Sequence, residues 1–220
     1  MGEVNYLDTI LVPLSVFVTV GYHVFLWHNF KYNPSVIIQG INSIKRREWL
    51  QGIKLGDDKK EMLAVQSLRN ALMEAILTAT ITILVIMSLA ALANNAYKAS
   101  DLMGVTPFFG SQSDRIIALK YGSASIFLVT SFMCSSLAIG YLVDANFLIN
   151  SSGEYLGRAH TGSVLERGFI MGVVGGRVLC VSLTLLLWLF GPLPVALSSL
   201  ALLWVLYGLD YVSKPHYMFK

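Results

Sequence analysis

The sequence predicts an all-α integral membrane protein of about five transmembrane helices. Three observations carry this. Five apolar stretches run through Leu7–Trp27, Ala71–Ala93, Ile116–Val143, Phe169–Phe190 and Pro194–Tyr211, each near the roughly 20 residues that cross a hydrocarbon core. The chain of 220 residues is 55% hydrophobic and 13% charged, with mean hydropathy +0.63, whereas a soluble domain carries about 25% charge. The longest polar stretch, Phe30–Leu68, is too short for a core of its own, so residues 1–220 form one membrane domain.

Residues 1–29 hold the first span. MGEVNYLDTILVPL lacks a basic n-region and a small-residue cleavage site, so it is expected to stay as an anchor. Met1-Gly2 opens like a myristoylation signal, but Tyr6 stands where Ser or Thr is needed. Residues 30–70 form an amphipathic and polar cytoplasmic segment. Asn33-Pro34 reads as a helix start. Ile37, Ile41 and Ile44 then share a face, followed by Lys45-Arg46-Arg47 and Trp49. Such a helix lies in the cytoplasmic interface, its basic end near anionic head groups, or packs against protein; both readings stay open.

Asp58-Lys59-Lys60-Glu61 has capping-box spacing, and nothing breaks a helix from there to Ala93. Its length, about 50 Å, exceeds the bilayer core and predicts projection into the cytosol. Residues 71–143 supply the second and third spans, the third continuing through Ile149. Residues 144–167 form a cytoplasmic link, 168–211 the fourth and fifth spans, and 212–220 the tail. Gly191-Pro192-Leu193-Pro194 either joins two full spans or turns a shallow hairpin, leaving four spans plus that hairpin.

Orientation follows from the basic residues of short loops. Lys31, Lys45, Arg46, Arg47, Lys54, Lys59 and Lys60 crowd one side, joined by Arg158, Arg167, Lys214 and Lys220. The other side holds little beyond Lys98, Arg115 and Lys120. The N-terminus is therefore expected outside or in a lumen, the C-terminus in the cytosol. The sequon Asn150-Ser151-Ser152 then lies where it cannot be glycosylated.

Searches for catalysis are empty: no HExxH, GxSxG, P-loop or CxxC occurs. Neither an enzyme nor a cofactor or metal site is expected, and the basic cluster is explained by topology rather than nucleic acid. Cys134 and Cys180 fall inside apolar segments and read as packing residues. His160 and Glu166 have no recognisable partner pattern.

Ionisable groups inside a bilayer are costly and point to function or pairing. Arg177, Glu74, Asp144, His23, His28 and Asp210 all fall in the cytoplasmic half of the predicted layout. They suggest a hydrated vestibule or a buried ion-pair cluster, with Arg177 partnered by Glu74 or Asp144. Asn70, Glu74, Thr78 and Thr82 follow a near-i,i+4 row, with Ser88 and Asn95 close to it. A carboxylate and hydroxyls on one stripe suit a pore wall, where Glu74 would form a ring favouring cations and Ile81 and Val85 would gate by dewetting. Hydrogen bonding of the threonines to their own backbone is the bland alternative. Gly168, Gly172, Gly176, Cys180 and Thr184 form a small-residue stripe expected to be a helix-contact face, within or between subunits.

At Asn33-Pro34, Gln39-Gly40-Ile41-Asn42 to Arg47-Glu48-Trp49, and Gln66-Ser67-Leu68-Arg69-Asn70-Ala71-Leu72-Met73, the chain resembles the plant and bacterial membrane family known as domain of unknown function 599. Among plant members it is similar to the WeiTsing type of small endoplasmic-reticulum cation channel. That resemblance implies a pentameric, calcium-permeable channel of the endoplasmic reticulum with a role in plant defence. The resulting expectation is a homo-oligomeric cation channel of an intracellular membrane, in contact with the lipid bilayer and with permeating cations. The alternatives are a secondary transporter, for which Gly175-Gly176 is the one candidate helix break, and a non-conducting scaffold that recruits cytosolic partners.

Overall fold

Six helices account for nearly all of the computed structural model, which describes residues 3–52, 58–99, 114–150 and 158–211. They are α1 (Glu3–Tyr32), α2 (Ile38–Gly52), α3 (Asp58–Ala99), α4 (Asp114–Asn150), α5 (Arg158–Leu186) and α6 (Pro192–Asp210). Short 3-10 turns at Pro34–Val36 and Leu187–Phe190 precede α2 and α6. Five of the helices, all but α2, are long and apolar enough to cross a membrane. Lys54, the sequon's Ser151 and Ser152, and the 212–220 tail lie outside the described residues.

The long helices follow the absence of breakers. α3 has 42 residues and α4 has 37, about 60 Å and 55 Å at 1.5 Å per residue. α3 begins at Asp58, where the capping spacing predicted a start, and α4 carries on past the apolar run to Asn150. α6 has 19 residues, about 28 Å, so the Gly191 turn joins two helices of spanning length rather than a shallow hairpin. Gly191 makes that reversal with φ 130° and ψ 172°, a backbone region essentially confined to glycine.

α3, α4 and α5 form a sequential antiparallel bundle. On α4 the buried residues Ala124, Leu128, Ser131, Ser135, Ala138, Leu142 and Ala145 are spaced by alternating steps of four and three. On α5 Thr161, Leu165, Gly168, Gly172, Gly175, Leu179 and Ser182 have the same spacing, all buried but for half-buried Gly172. Such a 3.5-residue seam keeps facing its partner along a gently supercoiled pair. A Cβ added to Gly168 would meet Leu142, one on Gly172 would meet Ala138, and one on Gly175 would meet Ser135. Numbers rise on one helix as they fall on the other, which fixes the pair as antiparallel. Lipid offers no hydrophobic reward for burial, so such seams rely on close approach of small residues. The Ser131 hydroxyl adds a bond across the seam, donating to the Gly175 carbonyl at 2.7 Å. α3 packs on α4 through Leu68 and Ala75 against Ala138, Leu142 and Ala145, and through Leu89 against Ala124 and Leu128.

α1 and α6 form a second, parallel pair. Trp188 Nε1 donates to Asp8 Oδ1 at 3.0 Å, Val12 packs with Trp188 and Val195, and Asn29 Nδ2 donates to the Tyr211 hydroxyl at 3.2 Å.

α2 departs from expectation. Asn33 caps only the 3-10 turn, without a side-chain bond, because Pro34 opens that turn and α2 starts four residues later. The helix then runs along α5, from Gln39 near Arg177 and Asp210 to Leu50 beside Gly162. Its buried face is Gly40, Ser43 and Leu50, while Ile41 is half-buried and Ile44 exposed. The packing-on-protein reading therefore holds for the small face and for Ile37, which precedes the helix and is wholly buried, while the isoleucine row turns outward from Ile41 to Ile44. Gly40 is required here, since a Cβ would overlap the Pro34 carbonyl.

Candidate functional site

The two helix groups are joined at one carboxylate. Asp210, at the last turn of α6, has no exposed surface. Arg177 of α5 reaches it with both terminal nitrogens, Nη1 donating to Oδ2 at 2.9 Å and Nη2 to Oδ1. The Tyr22 hydroxyl of α1 donates to Oδ2 at 2.6 Å, and Gln39 Nε2 of α2 donates to Oδ1 at 3.1 Å. A carboxylate has about four acceptor positions, and four donors from three other helices occupy them. A charge so neutralised and bonded is tolerated at depth. The backbone continues the clamp, with Ile37 and Tyr211 forming an isolated antiparallel bridge.

A second buried acid lies where α2 meets the start of α5. Glu166 accepts from the Ser43 hydroxyl through Oε1 and from Arg47 Nε at 3.1 Å through Oε2. Ser43 and Arg47 are four apart, so one face of α2 presents both donors. The neighbouring Arg46 guanidinium lies over the Phe169 ring, 4.2 Å from its centroid. Burial draws the Arg46 pKa down, and the charge of Glu166 opposes that shift.

Between α1 and α5, flanked by α2, is a cleft of about 610 Å³. Its walls are largely aliphatic and aromatic, with Val24 and Trp27 on α1 and Val173 and Val174 on α5. Polar groups enter from Gln39, Asn42 and Arg46 of α2, His23 and Thr19 of α1, and Arg177. His23 Nδ1 lies 2.8 Å from the Thr19 carbonyl. The Arg46 Nε and His23 Nε2 atoms are buried without a hydrogen-bond partner.

The sequence model of the family described as protein of unknown function, DUF599, matches residues 10–215. The chain belongs to that family. No curated protein and no solved structure matches it. The match embraces both helix groups of this DUF599 member, α2, the acid clamp and the cleft, but it brings no activity with it.

The sequence-predicted site residues divide in the fold of this DUF599 protein. Arg177, His23 and Asp210 do come together, but Arg177 pairs with Asp210 rather than with Glu74 or Asp144, both of which are exposed. His28 is exposed too, its ring against Tyr32. Asn70, Glu74 and Ile81 stand exposed on α3. Thr78 is half-buried, its hydroxyl on the Glu74 carbonyl at 3.0 Å. Thr82 is wholly buried, bonded to the Thr78 carbonyl at 2.7 Å and 3.4 Å from the Ser131 hydroxyl. Val85 packs beside the Leu89 and Leu128 cluster. Thr82 therefore belongs to the α3–α4 contact and not to an outer face. Along α5, Gly168 and Gly172 meet α4, but a Cβ on Gly176 would meet nothing within 4 Å; Gly175 takes its place. Cys180 is half-buried and Thr184 buried, its hydroxyl on the Val181 carbonyl at 2.8 Å.

Both discrepancies have one cause. Each residue of an α-helix turns about 100°, so a row of fours drifts about 40° per step. Over Asn70 to Thr82 the row rotates from an open face into a packed one. The packed seams alternate fours and threes instead. The partners of Glu166 escaped the sequence reading because Ser43 and Arg47 lie 123 and 119 residues away in the chain; the spacing of Ser43 and Arg47 on one helix face was the available signal. No group of three or more His, Cys, Asp or Glu side chains suited to a metal occurs among the described residues.

Proposed function

We propose that this protein is a homo-oligomeric cation channel, with α3 in the pore wall. The supporting observation is Glu74. It lies within the Met62–Asn94 stretch of spanning hydropathy, exposed on α3, and no described side chain pairs with its carboxylate. A carboxylate at that depth needs water, a cation or a protein partner, and the described residues of its own subunit supply no partner. Asn70, Leu77, Ile81, Leu84 and Ser88 continue the same 3.5-residue row, all exposed. Brought around a symmetry axis, this row gives a polar entrance at Asn70 and Glu74 and an apolar constriction at Leu77, Ile81 and Leu84. Rings of carboxylates concentrate cations, and apolar rings gate by dewetting.

A pentameric assembly, calcium permeation, the endoplasmic reticulum, a lumenal N-terminus and a defence role form the outer part of the proposal. The first three and the last rest on the resemblance to the WeiTsing type of plant channel alone, and the orientation rests on the basic loops. A secondary transporter is less well supported, since α5 runs unbroken through Gly175-Gly176.

Single-channel recording of purified protein in planar bilayers under a cation gradient tests the reading, with wild type beside Glu74→Gln. Discrete cation-selective openings whose conductance or selectivity changes in the variant are expected. Openings indifferent to the substitution would remove α3 from the pore wall. Silence from well-folded oligomer would sink conduction and favour the scaffold.

A further inference from the structure

We propose that the cleft between α1 and α5 is a binding site for a membrane phospholipid with an anionic head group. Its phosphate would lie on Arg46 and its acyl chains against the valines of α1 and α5. The reading is independent of conduction.

The cleft has the volume of a small-molecule site, about 610 Å³ within the usual range of roughly 300–1,000 Å³. Its chemistry is graded like an amphiphile. α2 brings Gln39, Asn42 and Arg46 to the cleft, while Phe127, Val178 and Val181 line it with apolar surface alone. Among the lining residues Val20, Val24, Trp27 and Val173 are also exposed hydrophobics. The cleft is therefore open between two helices of spanning length, toward the lipid.

Two orphaned atoms define what the head group must offer. Arg46 Nε carries a hydrogen with no acceptor, although the guanidinium is fixed over Phe169. An unmet buried donor of this kind is costly. His23 Nδ1 donates to a carbonyl oxygen, which leaves Nε2 as a second buried polar atom without a partner. A phosphate beside a glycerol or polyol hydroxyl supplies an acceptor for Arg46 and a hydrogen-bonding partner for His23 together.

Charge selects the same occupant. Arg177 is neutralised by Asp210, and Glu166 is engaged by Arg47 and Ser43. Glu166 acts on Arg46 only through space, so Arg46, Arg47 and Arg177 against Glu166 and Asp210 leave one net positive charge beside the cleft. A monoanionic phosphodiester matches it; a zwitterionic head group brings a cation that the cleft does not need.

Native mass spectrometry of delipidated protein tests this, with phosphatidylglycerol and phosphatidylcholine of identical chains as probes. Wild type is expected to retain one phosphatidylglycerol per protomer, about tenfold more tightly than phosphatidylcholine, the worth of one charge-assisted bond. Arg46→Gln should bring the two lipids to parity, and Val174→Trp, which fills the apolar part, should release both. Equal retention of the two lipids by wild type overturns the proposal and marks them as annular. Inorganic phosphate that displaces the lipid and itself binds undiminished in Val174→Trp also overturns it, leaving an ion site only. Should Arg46→Gln not fold, the wild-type preference and the Val174→Trp loss decide the matter.

Discussion

Arg177 Nη1 donates to Asp210 Oδ2 over 2.9 Å, on a carboxylate with no exposed surface. This pair holds the α1–α6 couple to the α3–α4–α5 bundle where a cleft otherwise separates α1 from α5. Tyr22 and Gln39 bring α1 and α2 to the same carboxylate, so four helices meet on two oxygens.

Asp210→Asn leaves the Arg177 guanidinium, only 13% exposed, without a counter-charge. Breaking a buried pair from one side costs about 3–5 kcal/mol. The variant should unfold at markedly lower denaturant in detergent micelles. Arg177→Met added to it should recover part of the loss, because no unpaired charge then remains. Unfolding curves of the two variants that coincide would deny the pair its role.

Gly175 and Gly176 offer a contrast between neighbours. A Cβ on Gly175 would stand 2.5 Å from Ser135 Oγ and 3.2 Å from its backbone nitrogen, whereas Gly176 has open space. Gly175→Ala should destabilise by about 1–3 kcal/mol through overpacking. Gly176→Ala should be neutral or stabilise by up to about 1 kcal/mol through helix propensity. Thermal unfolding of the two proteins reads the difference, and the reverse order would refute the seam assigned to α5.

The turn into α6 depends on one residue. At φ 130°, Gly191→Ala places a side chain in a conformation that costs about 1–3 kcal/mol. A lowered unfolding midpoint is expected, with the α-helical circular dichroism of the folded protein intact. An unchanged midpoint would mean that the reversal tolerates another backbone path.

The pore-wall proposal places copies of α3 next to one another. In protein with Cys134 and Cys180 replaced by Ala, Leu77→Cys should give a ladder of bis-maleimide-linked oligomers on denaturing gels. Trp204→Cys, on α6 and 80% exposed, should not. Cross-linking at 204 and not at 77 would put α6, and not α3, at the subunit contact.

Apolar length made the helices legible before any fold was known. The capping spacing at Asp58 marked the start of α3, and the lack of breakers beyond Val143 foretold the reach of α4 to Asn150. Asp210, Arg177 and His23 were visible as costly residues in apolar surroundings. Their partners were not, because a bond such as Tyr22 to Asp210 spans 188 residues and leaves no local period. Pro34 misled for a local reason, since a proline that can open an α-helix can equally open one 3-10 turn.

By itself the sequence determined a chain of membrane-spanning helices, their order and near-lengths, and its place in the DUF599 family, because hydropathy and breakers act over a few turns. Only the tertiary structure decided which face of each helix is packed. A seam steps by fours and threes, so Thr82 and Gly175 are buried in helix contacts while Glu74 and Gly176 are not. Only it brought Asp210 to Arg177 and left Arg46 over an open cleft, since both depend on helices that are remote in the chain and adjacent in space.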